Sequence, residues 1–408
     1  DLVEAYNNMG NALQKKGELE EAIKAYNQAL SLKPDYADAF YNLGNALKDQ
    51  GKPEEAIEVY MQAVAIKPDH REAYGNISEA LKGFTFSKPN PAMQTIITSI
   101  LNNKTYVRPK DICHASLSLL KFETSVSELF EKYSDCVASV SFQELLIALC
   151  ELPLFLKLMS VCPIADLGFE TVLTDIRANL LSSISAITEN QALLRFQSAL
   201  ALQCFTNEYV YVQTDVEVQE LEALEALVKK TLLKGEQPNK RFILCLAAYK
   251  ALHRYDWCAL LTATSEIGDV FTRQVIEPQQ EMDLKSNIPV LGEISNTVSS
   301  KVREQYEESP YPRWVNLGLP LKPFAISKVV KRLNLRVFDH ATNQVDAPDI
   351  LIAGCGTGQH SIGTATRFKN SRVLAIDLSL SSLAYAKRKT EELGITNIEY
   401  MQADILDL

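Results

Sequence analysis

Residues 351–361 of this 408-residue chain read LIAGCGTGQHS, an apolar run that breaks into three glycines at alternate positions, Gly354, Gly356 and Gly358. Glycine reaches positive φ without strain and carries no side chain, so a ligand can lie directly against the main chain there. Polar residues then open a helix, and a strand that turns through glycines into a helix holds a nucleotide. The spacing narrows the choice. A dinucleotide loop reads GxGxxG with its third glycine at helix–strand packing, and a phosphate loop reads GxxxxGK[ST]. Here the third glycine comes one residue early, GxGxG, and no Walker-type run is present. Such a loop leaves room for an amino-acid portion beside a nucleoside.

The surrounding pattern supplies elements to carry this loop. DILIA (349–353) predicts a buried strand, and Gln359 to about Phe368 a helix. SRVLAI (371–376) predicts a second strand ending on Asp377, with Ser379 able to cap the helix SSLAYAKRKTEEL that follows. NIEYM (397–401) predicts a third strand, followed by Gln402-Ala403-Asp404. This alternation is the parallel βαβαβ start of a doubly wound, Rossmann-like α/β sheet.

On these residues 349–408 resembles the first three motifs of class I S-adenosylmethionine-dependent methyltransferases. The resemblance implies S-adenosylmethionine as cofactor, met by Gly354, Cys355, Gly356, Thr357, Gly358, Asp377, Leu378, Asp404 and Ile405. By that resemblance the glycines shape the loop under the methionine part and sugar. Asp377 accepts hydrogen bonds from the ribose hydroxyls and Asp404 from the adenine amino group, with Ala403 or Ile405 giving a main-chain contact to the ring. Carboxylates suit both places because they only accept, whereas hydroxyls and an exocyclic amine donate. One position departs: the family often carries an acid two residues before the first glycine, and this chain has Ile352. An NAD-binding sheet, which also uses an acid after its second strand, is the competing reading, disfavoured by the loop spacing and the second acid. The family's fourth motif, which orients the methyl acceptor, would lie beyond Leu408, so no catalytic residue is assigned. The expectation is a fragment, cut at both ends, with most of the cofactor-binding half and no complete acceptor site.

Upstream, KVREQYEESPYPRW (301–314) interleaves Tyr306, Tyr311 and Trp314 with Arg303 and Arg313 around two prolines. These aromatics are expected either as a lid over the cofactor cleft or as a clasp packed in an interface.

The N-terminus repeats. Residues 1–34 and 35–68 align without a gap: Gly10 returns as Gly44, Gly17 as Gly51, Tyr26 as Tyr60 and Pro34 as Pro68. A 34-residue period with small residues at the helix crossing is the tetratricopeptide signature. A third, partial unit (69–84) loses the pattern where Thr85 replaces the turn glycine. Asn8, Asn42 and Asn76 recur in register, with Asn11 and Asn45 beside them. They resemble the asparagine ladder of O-linked N-acetylglucosamine transferase, which grips an extended peptide, so a protein or peptide partner is expected on the repeats.

Residues 85–290 read as a helical middle domain whose acids lie on solvated faces, 291–345 as an aromatic linker or lid segment, and 346–408 as the incomplete methyltransferase domain. The whole layout resembles bacterial repeat-containing class I methyltransferases. A net charge of −10 gives no basic footprint for nucleic acid. The apolar stretch ELLIALCELPLFLKLMSVCPIADL is interrupted by Glu151, Pro153 and Lys157, which predicts two buried helices and no membrane span. Eight scattered cysteines and five histidines show no ligand spacing, so no metal is expected, and the thiols read as reduced core residues of a cytoplasmic protein. Two functions follow: S-adenosylmethionine-dependent methylation of an acceptor recruited by the repeats, or an interaction scaffold with a vestigial or regulatory nucleotide-binding sheet.

Overall fold

The structure, a computed structural model, describes residues 2–135, 142–186, 190–308, 310–332, 334, 336 and 344–407. The chain forms two compact units, residues 1–128 with 153–158 and residues 129–152 with 159–408.

The first unit opens with paired helices, Leu2–Lys16 with Leu19–Leu32 and Ala37–Asp49 with Pro53–Ile66, followed by Arg71–Ala80. Within each pair the helices touch where glycine meets tyrosine. A Cβ on Gly10 would sit 2.5 Å from the Tyr26 ring, and one on Gly44 would overlap Tyr60 equally. Both tyrosines are fully buried, and their hydroxyls reach Asn11 Oδ1 (2.9 Å) and Asn45 Oδ1 (2.8 Å). Residue 84 lies inside this unit. Gly83 makes a left-handed turn at φ +71°, two residues before Thr85, whose hydroxyl bonds His114 Nε2 at 2.8 Å. Two more helices, Pro91–Asn102 and Pro109–Leu120, follow. Tyr74 stacks on Tyr106 and Phe86 N–H donates to Ser118 Oγ, tying the last repeat helix to what comes after it.

The apolar stretch supplies two helices, Phe142–Cys150 and Pro153–Val161, the proline opening the second, and its last residues follow them. Among the described residues no helix is long and apolar enough to cross a membrane.

The second unit is helical as far as Lys285 and then adds a small parallel sheet of order β1-β2-β3: β1 Asp349–Ala353, β2 Arg372–Asp377 and β3 Ile398–Gln402. The right-handed crossovers expected of such strands use the helices Gln359–Arg367 and Leu380–Glu392. The fold class is therefore as expected, a helical repeat region followed by a partial Rossmann-like sheet. Val290 bridges to Gln402 beside β3, Leu291 N–H donates to Gln402 O at 2.9 Å, and Phe324 bridges to Phe368. The helix Glu277–Lys285 lies along Leu380–Glu392, joined by Arg388 Nε to Glu281 Oε1 at 2.8 Å.

Two middle-region acids correct the expectation of solvated faces: Glu217 and Glu281 are buried. Glu217 closes a capping box with Thr214, accepts from the Tyr249 hydroxyl at 2.7 Å and lies 3.6 Å from Arg177. Glu281 faces Arg388, and burial nevertheless raises its pKa. Buried carboxylates persist where such partners replace water.

Candidate functional site

The strand β1 ends in a loop whose main chain is held from below. Cys355 N–H donates to Ile376 O (2.9 Å) and Gly358 N–H to Cys355 O (3.1 Å), curling the loop over the end of β2. Gly356 sits at φ +52° and turns its N–H onto Asp377 Oδ2 at 2.8 Å. Gly358 is needed for a different reason: besides its φ of +86°, a Cβ there would lie 2.6 Å from Ala386 Cβ. It is the close-packing glycine of the first crossover helix, one residue earlier than in a dinucleotide loop.

Beside this loop lies a cavity of about 320 Å³. Gly354, Gly356, Asp377, Leu378 and Ile405 line it, so five of the nine sequence-predicted ligand residues are brought together. Three others turn away: Cys355 and Thr357 are buried, and Gly358 packs on its neighbouring helix. Burial, with the Asp377 carboxylate adding to it, pushes the Cys355 thiol far above its ordinary pKa. Ile352 is buried in the apolar cluster with Ala365, Val373 and Leu383.

The two acids are prepared differently. Asp377 is held by main-chain donors on both oxygens, Gly356 N–H on Oδ2 and Ser379 N–H (3.0 Å) on Oδ1. Each oxygen has about two lone-pair sites, so each keeps one for a ligand. Asp404, the ninth residue, is 2% exposed. Its Oδ1 accepts from Leu406 N–H at 3.0 Å, while Oδ2 is buried with no hydrogen-bond partner. Asp404 is itself outside the cavity lining, between Ala403 and Ile405, which face it. A buried carboxylate oxygen left unpaired is costly, and a bound N–H donor would relieve it.

The aromatic segment divides. Tyr306 and Tyr311 line the cavity together with Val302, from the helix Thr297–Glu308 and the turn after it. Glu307 anchors this helix: its carboxylate accepts from the N–H groups of Leu380 and Ser381 at the N-terminus of the second crossover helix, where a negative charge is favoured. Trp314 does not reach the cavity. It is buried behind the loop, its indole N–H on Thr357 O at 2.9 Å, while Tyr385 accepts from Trp314 N–H and donates to its carbonyl. Tyr306 and Tyr311 thus face the cavity, while Trp314 packs behind the loop.

Sequence reading missed Val302, Ile376 and Ser382 at the cavity. Val302 was findable, since it lies one helical turn before Tyr306. In the repeats, Asn11 and Asn45 accept from Tyr26 and Tyr60, Asn76 donates to Asn45 Oδ1 (2.7 Å), and Asn42 donates to Asn7 Oδ1 (3.0 Å). Asn8 is exposed. Among the described residues no group of His, Cys, Asp and Glu could hold a metal ion.

Residues 10–51 match the family model of the TPR repeat, and residues 37–70 that of the tetratricopeptide repeat. Residues 350–408 match the model of a methyltransferase domain. No curated protein matches the chain. Repeats of a kind that mediates protein–protein interaction thus share this chain with a methyltransferase domain.

Proposed function

We propose that the chain binds S-adenosylmethionine at the cavity beside Asp377 and serves methyl transfer to a protein or peptide recruited by the repeats. The observation that carries this reading is the buried, unpaired Oδ2 of Asp404 next to a cavity bordered by Asp377 and the glycine loop. The remaining lone pairs of Asp377 suit the two ribose hydroxyls, and Asp404 Oδ2 suits the adenine amino group. Leu378, Ala403 and Ile405 give the base apolar surroundings, and Tyr306 and Tyr311, which line the same cavity, limit water. Position 352 supplies no acid for the methionine amino group.

S-adenosylmethionine supplies a methyl group on a sulfonium, which an acceptor takes by in-line displacement. The chain's residues contribute by holding and aligning, which is where such reactions gain most. The seven cysteines described are all free thiols, which supports a reducing, cytoplasmic compartment.

Titration calorimetry of the full-length protein with S-adenosylmethionine tests this reading. Binding that Asp377→Ala abolishes is the expected result. No binding by the unaltered protein removes the reading and leaves a repeat-based scaffold with a non-catalytic sheet.

A further inference from the structure

Behind the cofactor loop, residues 310–314 form a strap with two faces. Pro312 and Trp314 turn toward the loop: Pro312 O accepts from Thr357 Oγ1 at 2.8 Å, and the Trp314 indole donates to Thr357 O at 2.9 Å. Thr357, 3% exposed, thus commits both its hydroxyl and its carbonyl to the strap. Arg313, between them, reaches into the helical region instead. Its Nε donates to Glu208 Oε1 at 3.0 Å, its Nη1 lies 4.0 Å from Glu281 Oε2, and its guanidinium stands over the Phe205 ring at 4.8 Å. Glu208 is itself held in an unusual place. It and Tyr209 adopt φ of +58° and +57°, a region L side chains rarely visit, just after the helix Gln191–Thr206. Asn207 Oδ1 accepts from Tyr209 N–H (3.1 Å) and the Tyr209 hydroxyl donates to Ala247 O (3.3 Å), fixing that turn. Strained backbone of this kind persists where the surroundings over-determine it.

We propose that Arg313 is a positioning residue: by locking the strap to Glu208 it makes the helical region hold the glycine loop in its ligand-ready shape. The cofactor side of this inference rests on the function proposed above; the loop side does not. Arg313 is outside the cavity lining, so it acts through Thr357. A lysine would keep the charge but lose the planar fork that meets Glu208 while stacking on Phe205.

The test uses the full chain with Arg313→Met, Arg313→Lys and Glu208→Gln. Hydrogen exchange of the 354–358 amides, read without ligand, should rise about tenfold in Arg313→Met and Glu208→Gln, with Arg313→Lys intermediate. S-adenosylmethionine affinity should fall about tenfold in the same order, a loss of about 1.4 kcal/mol. Exchange and affinity unchanged in folded variants overturn the proposal, as does a uniform rise across the whole unit, which marks a general fold defect. If Arg313→Met fails to fold, Glu208→Gln, which removes charge and leaves shape, decides. If the unaltered protein binds no S-adenosylmethionine, the functional reading falls, while the exchange comparison still decides the role of Arg313.

Discussion

The repeats and the sheet both place short polar side chains in regular register, and they use them in opposite ways. In the repeats, Asn45 Oδ1 accepts from both Tyr60 and Asn76, and Asn42 is spent on Asn7. In the sheet, Asp377 keeps acceptor capacity on each oxygen and Asp404 leaves one buried oxygen unpaired. Satisfied polar groups cement an architecture; a buried unsatisfied one beside a cavity leaves an acceptor for a ligand or water. Two of the asparagines in register thus also join one repeat to the next, Asn42 through Asn7 and Asn76 through Asn45, while Asn8 stays exposed.

Four outcomes would break or sharpen this contrast. The largest is at Gly358, where alanine adds both a strained φ and a clash with Ala386. Gly358→Ala should cost the second unit about 3 kcal/mol, read as a lower denaturant midpoint, and a wild-type midpoint would refute the packing role. Next, Asp404→Asn should leave thermal stability within about 0.5 kcal/mol of the parent yet weaken S-adenosylmethionine binding by about 2 kcal/mol. A stability loss without an affinity loss would make Asp404 architectural, like the asparagines. Conversely, Asn45→Ala removes the acceptor shared by the Tyr60 hydroxyl and the Asn76 amide, leaving those two only each other, and should lower stability by about 1 kcal/mol with cofactor affinity untouched. Unchanged stability would reopen Asn45 as a ligand-facing amide. The smallest effect concerns Cys355, whose thiol stays protonated near neutral pH because burial raises its pKa. Alkylation followed by mass spectrometry at pH 8 should label it far more slowly than in the denatured chain, and rapid native labelling would show that the loop opens.

Much of the fold around the cavity was legible in the sequence. The three strands begin and end within a residue of their expected limits, because apolar runs bounded by glycine, asparagine and serine are local signals. Ser379 caps its helix as its position suggested, accepting from Ser382 N–H. The glycine–tyrosine contacts of the repeats were visible as a period. Less legible were the directions of loop side chains. Thr357 and Gly358 belong to the same motif as Gly356, yet packing against Pro312 and Ala386 turns them away from the cavity.

The sequence by itself determined the fold class, the glycine turn and the two acids at the strand ends, since these depend on backbone freedom, periodicity and lone-pair chemistry within short windows. Only the tertiary structure decided that Trp314 clasps the loop from behind while Tyr306 and Tyr311 face the cavity, and that Arg313 meets Glu208 across 105 residues. No local rule pairs residues so far apart. Their meeting is set by how helices and sheet pack, and that packing selects which polar atoms are satisfied and which are left for a ligand.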